Sequence, residues 1–169
     1  HLHLTEGAIL QGSDFIGDYQ LSKTRIEGET CDYFEALINV KGLDGFTLTG
    51  KGIIDGNGLK YHRAFRLRRQ WNPQCTNKDE QRPRLLYVAD SKNVRIEGVE
   101  IRDSPFWTCH LFMSENVVVR GLRTNCYGFN NDGLDIEMTR NVLVEDCVIR
   151  AGDDGLVFKA GRNRDAWRV

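Results

Sequence analysis

Asp132, Asp153 and Asp154 are the residues of this chain whose type and spacing could do chemistry. They lie in two segments that echo each other, Asn130-Asn131-Asp132-Gly133-Leu134 and Gly152-Asp153-Asp154-Gly155-Leu156. Aligning the two Asp-Gly-Leu triplets gives an offset of 154 − 132 = 22 residues. That is about one coil of a stacked-strand repeat. Asp132 then stacks with Asp154, and Asp153 stands beside them. Adjacent coils are about 4.8 Å apart, and carboxylates that close repel and do not both ionise freely. One protonated and one ionised carboxyl is what general acid and base catalysis needs, and such a group suits hydrolysis of a glycosidic bond. The competing reading is a solvated turn or a calcium site, since Asp-rich β-helix turns bind calcium.

The elements that must position these residues are also visible as a repeat. Runs beginning at Asn93, Asn116 and Asn141 align, with starts 116 − 93 = 23 and 141 − 116 = 25 residues apart. Inside each run apolar and polar residues alternate, the period of a half-buried strand. A Gly or Asp between the alternating stretches lets the chain bend. An earlier copy, Phe46 to Gly50, lies 94 − 46 = 48 residues before Val94. That is read as about two coils, with a loop inserted from roughly Asn57 to Arg84. No helical stretch is expected between the strands, which excludes a βαβ layout. The expected architecture is all-β, a single-stranded parallel β-helix or solenoid, forming one domain over 1–169. Val94, Val117 and Val142 form one inward stack; Val99, Leu122 and Cys147 form another, with Cys147 a small core hydrophobe. Asn93, Asn116 and Asn141 form a hydrogen-bonded ladder along the axis. Matching Met113-Ser114-Glu115-Asn116 to Met138-Thr139-Arg140-Asn141 places Trp107 one coil below Asp132 and His110 below Asp135. Asn131 and Asp153 form the adjacent row.

Other residues near the carboxylates are candidates for binding. Trp107 offers a flat apolar face for a sugar ring, or an aromatic stack in the core. His110 is a hydrogen-bond partner at the site or a satisfied structural histidine. Lys159, Arg162 and Arg164 follow Asp154 on the same side and could receive the carboxylate of an acidic sugar; the alternative is an ordinary charged loop. The run from Lys60 to Arg69, with Arg82 and Arg84 beyond it, would make a basic groove wall suited to a polyanion.

Bulk properties exclude other classes. With 23 basic and 24 acidic residues the net charge is −1, which does not point to nucleic acid. No apolar run is long enough to span a membrane. The five cysteines form no CxxC pair and offer no metal spacing, and nothing calls for a cofactor. The 17 glycines and 3 prolines suit a turn-rich β protein. The start at His1 and the close at Val169 both read as cuts through a longer protein.

Asn130 to Gly133 and Gly152 to Asp154 together resemble the Asn-Thr-Asp and Asp-Asp signatures of glycoside hydrolase family 28, the polygalacturonase family of pectin hydrolases. Ser104 to Thr108 and Phe158 to Arg162 resemble the usual surroundings of these motifs, and Leu2 to Ser13 looks like an early coil. The resemblance implies a right-handed β-helix, truncated here at both ends, and hydrolysis with inversion. It assigns Asp153 as general acid and Asp132 and Asp154 as the pair that activates water. Trp107, His110, Asn131, Lys159, Arg162 and Arg164 become expected substrate contacts. The implied partner is a pectic polysaccharide or oligogalacturonide, with no nucleic acid or membrane; the full-length protein is expected to be a secreted or periplasmic monomer. The coil spacing of about 4.8 Å is nearer the retaining than the inverting carboxylate separation, unless the pair is diagonal or splayed. Asn131 stands where most members carry Thr, a form that looks like bacterial members. The family's later Gly-His-Gly and Arg-Ile-Lys motifs are absent and would lie beyond Val169, so the isolated chain is expected to be weakly active or inactive and poorly soluble. The segment from Ala160 to Asp165 resembles exo-acting bacterial members. The alternatives are a polysaccharide lyase on a similar coil and a non-catalytic carbohydrate-binding β-helix.

Overall fold

A computed structural model of the chain describes residues 1–162, 164 and 167. The backbone winds through five coils. The first holds β1 (Leu2–Leu4), β2 (Ile9–Gln11), the hairpin strands β3 (Leu21–Ile26) and β4 (Glu29–Phe34), and β5 (Ile38–Lys41). The second holds β6 (Thr47–Gly50), β7 (Ile53–Asp55), the helix α1 (Leu59–Trp71) and β8 (Leu86–Ala89). Three regular coils follow: β9 (Lys92–Glu97), β10 (Glu100–Arg102) and β11 (Cys109–Phe112); β12 (Glu115–Arg120), β13 (Arg123–Asn125) and β14 (Leu134–Glu137); β15 (Arg140–Glu145), β16 (Val148–Arg150) and β17 (Leu156–Lys159). Corresponding strands stack in parallel into three sheets, ordered β1-β6-β9-β12-β15, β2-β7-β10-β13-β16 and β5-β8-β11-β14-β17. This is a right-handed parallel β-helix.

The alternation in the sequence sets which side chains turn inward. Along β9, Val94 and Ile96 are fully buried while Arg95 stays exposed. Val94, Val117 and Val142 share one register, as expected. Ile96, Val119 and Val144 form the next stack, with Leu48 below them. Val99 and Leu122 are fully buried, and Cys147 packs against the same core. Each fully buried Val, Leu or Ile contributes about 1.5–3 kcal/mol relative to leaving it exposed. Among the described residues no helix packs on this core, and its stability comes from neighbouring coils.

The turns repeat as faithfully as the strands. Gly98, Gly121 and Asp146 make the bend from first to second sheet with φ of 79°, 63° and 55°. Asn93, Asn116 and Asn141 make the entry into the first sheet with φ of 53°, 57° and 53°. Asn tolerates this left-handed conformation better than other residues with a side chain. Its amide also links coils: Asn141 Nδ2 donates to Asn116 Oδ1 at 3.1 Å, and Asn116 Nδ2 to Asn93 Oδ1 at 3.3 Å. Asn93 Nδ2 donates to Asp44 Oδ1 at 2.6 Å, so Asp44 closes a ladder whose end was not seen in the sequence.

Three expectations change. The 48-residue separation between Phe46 and Val94 is one coil rather than two, because β6 pairs directly with β9, Leu48 opposite Ile96. The extra length is the excursion between β7 and β8, and it contains a helix where only a loop was expected. Tyr61 and Phe65, one turn apart, bury the inner face of that helix. The antiparallel hairpin of β3 and β4 was not expected either. Glu27 and Gly28 form its two-residue turn with φ of 51° and 78°, the pair of positive values that a type I′ turn requires.

Replacing Asn116 by Ala removes two ladder bonds and places a Cβ residue without a capping amide at positive φ. An exposed ladder of this kind is expected to be worth about 1–2 kcal/mol here. Asn116→Gly keeps the backbone permissive and should lose less than Asn116→Ala; equal losses in chemical denaturation would show that the backbone term is absent.

Candidate active site

Both echoed segments occupy the passage from second to third sheet. Residues 126–133 join β13 to β14, and 151–155 join β16 to β17. Backbone bonds carry the register through the passage: Gly133 N–H donates to Asp154 O at 2.9 Å, and Thr108 N–H to Asp132 O at 2.9 Å. Asp132 therefore lies under Asp154 and over Trp107, as the offsets imply. The echoed glycine has a steric reason. A Cβ on Gly133 would meet Ile149 Cγ2 at 2.3 Å and Gly155 O at 2.6 Å.

The stacked aspartates do not share an environment. Asp132 is 6% exposed, while Asp153 and Asp154 are exposed. Asp132 lies beside Asp135, which is fully buried on the outward face of β14. Lys159 Nζ reaches both, 2.6 Å from Asp135 Oδ1 and 3.4 Å from Asp132 Oδ2. Burial raises both carboxyls above the usual aspartate range, and the charge of Asp132 raises Asp135 further. Lys159 lowers both in opposition, and the charge of Asp153 raises Asp132 again. Burial disfavours the charge on Lys159, but the two carboxylates outweigh it and hold its ammonium above the usual lysine range.

Several expected substrate contacts already have partners within the chain. Trp107 presents no free face: Phe106 stacks on it at 4.9 Å between centroids, and Lys159 Nζ lies 3.8 Å from its ring centre. Lys159 is committed to Asp135 and Asp132 rather than open to a ligand. Asn131 is fully buried and spends its whole amide on the chain. Its Nδ2 donates to Ser104 O and Phe106 O, each at 2.7 Å, and its Oδ1 accepts from Gly128 N–H at 2.8 Å. Its backbone still stands in the row of Asp153, with Gly152 N–H donating to Asn131 O at 3.2 Å, and both residues border one cleft. Arg162 turns to Glu29 on the hairpin, Nη1 to Oε1 at 2.5 Å. Arg164 is exposed.

His110 is also fully buried and sits in a charged chain beneath the hairpin. Arg84 Nη1 lies 2.8 Å from its Nδ1, and its Nε2 lies 3.0 Å from Glu137 Oε2. Arginine only donates, so Nδ1 accepts and the proton rests on Nε2, aimed at Glu137. Arg25 Nε donates to Glu137 Oε1 at 3.0 Å, and Arg84 Nη2 to Thr24 Oγ1 at 2.6 Å. The hairpin is thereby clamped over the outward face of the third sheet. Burial pushes the His110 imidazolium down to about 4.

Arg82 and Arg84 are likewise interior residues, not an exposed basic wall. Arg82 Nη1 donates to Phe129 O at 2.8 Å, and Nη2 to Asn130 Oδ1 at 3.0 Å. Its guanidinium also lies 4.0 Å from the ring centre of Phe65. It thus ties α1 to the loop that carries Asp132. A second tie is the carbonyl of Ser104, which accepts from Asn131 and from His62 Nε2 at 2.8 Å. The result is a cleft of about 490 Å³ with Asp153, Gly152 and Asn130 on one side and His62, Arg66 and Arg69 of α1 on another. Asp135 and the true course of Lys159 were missed in the sequence. The available signals for Asp135 were its place three residues after Asp132 and its register over His110.

Comparisons with known proteins agree with this fold. The profile described as "Glycosyl hydrolases family 28" matches residues 15–166. A probable endo-xylogalacturonan hydrolase A of Aspergillus fumigatus is 28% identical over 142 residues, 76% of this chain and 32% of that protein. A probable polygalacturonase of Vitis vinifera is 26% identical over 168 residues, 95% of this chain and 33% of that protein. This chain thus spans about a third of the length of these curated relatives. Among solved structures, the hyperthermoactive exopolygalacturonase of Thermotoga maritima superposes with a TM-score of 0.79 at 26% identity, covering 98% of this chain and 44% of that one. The family 28 exopolygalacturonase of Yersinia enterocolitica gives 0.82 at 25%, covering 98% and 37%.

The neutral state of His110 has a thermodynamic consequence. Its folded pKa of about 4 lies below the value of about 6.5 in an unfolded chain. The stability this confers is complete above pH ~6.5 and is lost as pH falls towards 4, by up to about 1.4 kcal/mol per pH unit for one proton. Unfolding midpoints measured from pH 7 to pH 4 should therefore fall less steeply in His110→Gln than in the unaltered protein; parallel slopes would contradict the assignment.

Proposed function

The chain belongs to glycosyl hydrolases family 28, and on that premise we propose that the full-length protein hydrolyses O-glycosidic bonds in pectic polysaccharide. The observation that carries the reading is the contrast between exposed Asp153, facing the cleft, and buried Asp132 on the neighbouring coil, held by Lys159 and Asp135. Unlike environments separate the two tasks of acid and base.

In this reading Asp153 gives its proton to the glycosidic oxygen as the bond from anomeric carbon to that oxygen breaks. Asp132, with Asp154, orients a water and takes its proton as the water oxygen bonds to the anomeric carbon. Entry of water from the opposite face inverts the configuration. Asp135 shares the ammonium of Lys159 with Asp132. Lys159 stabilises the ionised form of Asp132 and acts through it as a positioning residue.

The proposed substrate is a galacturonide, supported by the names of the relatives. Action from the chain end is the finer form, supported by the two exopolygalacturonases that superpose on this chain. A polymeric pectic substrate places the work outside the cytoplasm, and the full-length protein is proposed to act there as a monomer.

Asp153→Asn in the full-length protein should lower kcat on polygalacturonate by about 10²–10⁴ fold. Products should carry new reducing ends without the ultraviolet absorbance of unsaturated uronides; that absorbance would indicate a lyase, and unchanged turnover in Asp153→Asn would sink the hydrolytic reading. Because burial raises Asp132, the acid limb of the kcat/KM profile should lie above the ordinary aspartate value of about 3.9. Lys159→Met removes a positive charge that lowers Asp132, so the limb should move to higher pH; a shift to lower pH would refute the role given to Lys159.

A further inference from the structure

The helix α1 carries a stripe that the reaction described above does not use. His62, Arg66 and Arg69 are spaced by 66 − 62 = 4 and 69 − 66 = 3 residues, which places them on one helical face. All three line the cleft that also holds Asp153. The neighbouring Arg68 points elsewhere and pairs with Glu80 at 3.0 Å. Arg66 and Arg69 have no carboxylate partner among the described residues. Their guanidinium carbons instead lie over aromatic rings, Arg66 5.6 Å from the centre of Phe129 and Arg69 5.9 Å from that of Phe65. A ring attracts a cation at this distance without taking up its N–H groups in hydrogen bonds.

The stripe is fixed relative to Asp153. Arg82 bonds the carbonyl of Phe129 and lies against Phe65, so the two aromatic supports share one buried anchor. His62 reaches Ser104 O, and Tyr61 Oη donates to Ser13 O at 2.9 Å. Gly128 allows the imidazole to close on the loop, since a Cβ there would lie 2.0 Å from His62 Nε2. Two arginine forks are thus presented by a seated helix to a cleft beside the proposed acid. Planar forks of this type bind carboxylate through two N–H bonds, and a site fixed beforehand loses little in ordering.

We propose that Arg66 and Arg69 form a uronate subsite, which holds the carboxylate of a sugar next to the bond presented to Asp153. This rests on the reading of the protein as a hydrolase of galacturonides and adds the element that selects free acid over methyl ester. A neutral ester lacks the charge and one acceptor geometry of the carboxylate, so the subsite discriminates by charge-assisted hydrogen bonds.

The test uses the full-length protein, with Asp153→Asn as a background that binds without turnover. Digalacturonate affinity is measured by calorimetry in that background alone and with Arg66→Ala and Arg69→Ala added. Binding should weaken by about 10–100 fold in the combined variant, while the affinity for the methyl-esterified disaccharide stays within about twofold. Equal digalacturonate affinity in the two proteins overturns the subsite and leaves the hydrolase reading standing. Failure of the Asp153→Asn background to bind either disaccharide, together with no hydrolysis by the unaltered protein, overturns the galacturonide reading instead. Arg66→Lys with Arg69→Lys guards against a folding defect: it keeps charge and helix and should fall between the other two, and full affinity there would overturn the bidentate fork. Arg63→Ala, on the same helix but outside the cleft lining, should change neither affinity.

Discussion

The register between parallel strands of successive coils is the constraint on which the rest of this structure depends. A slip of one residue would turn every inward side chain of a strand outward. Extra residues can therefore enter only where the chain leaves one sheet and has not yet joined the next. In this protein the large excursions use a single passage, from second to third sheet. The hairpin of β3 and β4 lies there in the first coil, α1 in the second, and the loops 126–133 and 151–155 in the last two. The two narrower bends keep their short length and are held by left-handed Asn, Gly and Asp residues. Confining variation to one edge of the solenoid gathers roof, wall and carboxylates at the same edge.

That gathering changes the electrostatics of the third sheet. Its outward residues would face water in a bare solenoid. Here the hairpin and Arg84 cover them, and His110, Asp135 and Glu137 become fully buried. Buried charge persists only when it is paired or neutralised. Each residue takes a different route: Glu137 meets Arg25, His110 gives up its charge, and Asp135 pairs with Lys159. Asp132 sits at the boundary of this layer, which is why its ionisation is governed by interior neighbours.

The legible part of the fold was the part written in periods. Inward stacks, the Asn ladder and the placement of Asp132 under Asp154 all follow from offsets of 22 to 25 residues and from alternation within strands. The helix was not legible because only Tyr61 and Phe65 of its residues are buried and its remaining surface is rich in arginine, so residues 57–84 read as a loop. The hairpin was not legible because its alternation matches that of the coil strands, and only its pairing is antiparallel. The binding residues suffered most. Trp107, His110, Asn131 and Lys159 were placed at the correct height along the axis, yet their side chains are covered or committed to neighbours.

The sequence by itself determined the coil, its register and the three aspartates, because these depend on contacts that recur at a fixed distance along the chain. Only the tertiary structure decided which outward residues see solvent. That outcome depends on two insertions folding back over one face, and contacts such as Arg25 to Glu137 join residues 112 positions apart with no period to announce them. The same reason explains Asp135: an aspartate in an alternating strand looks exposed, and only the fold buries it and brings Lys159 within 2.6 Å.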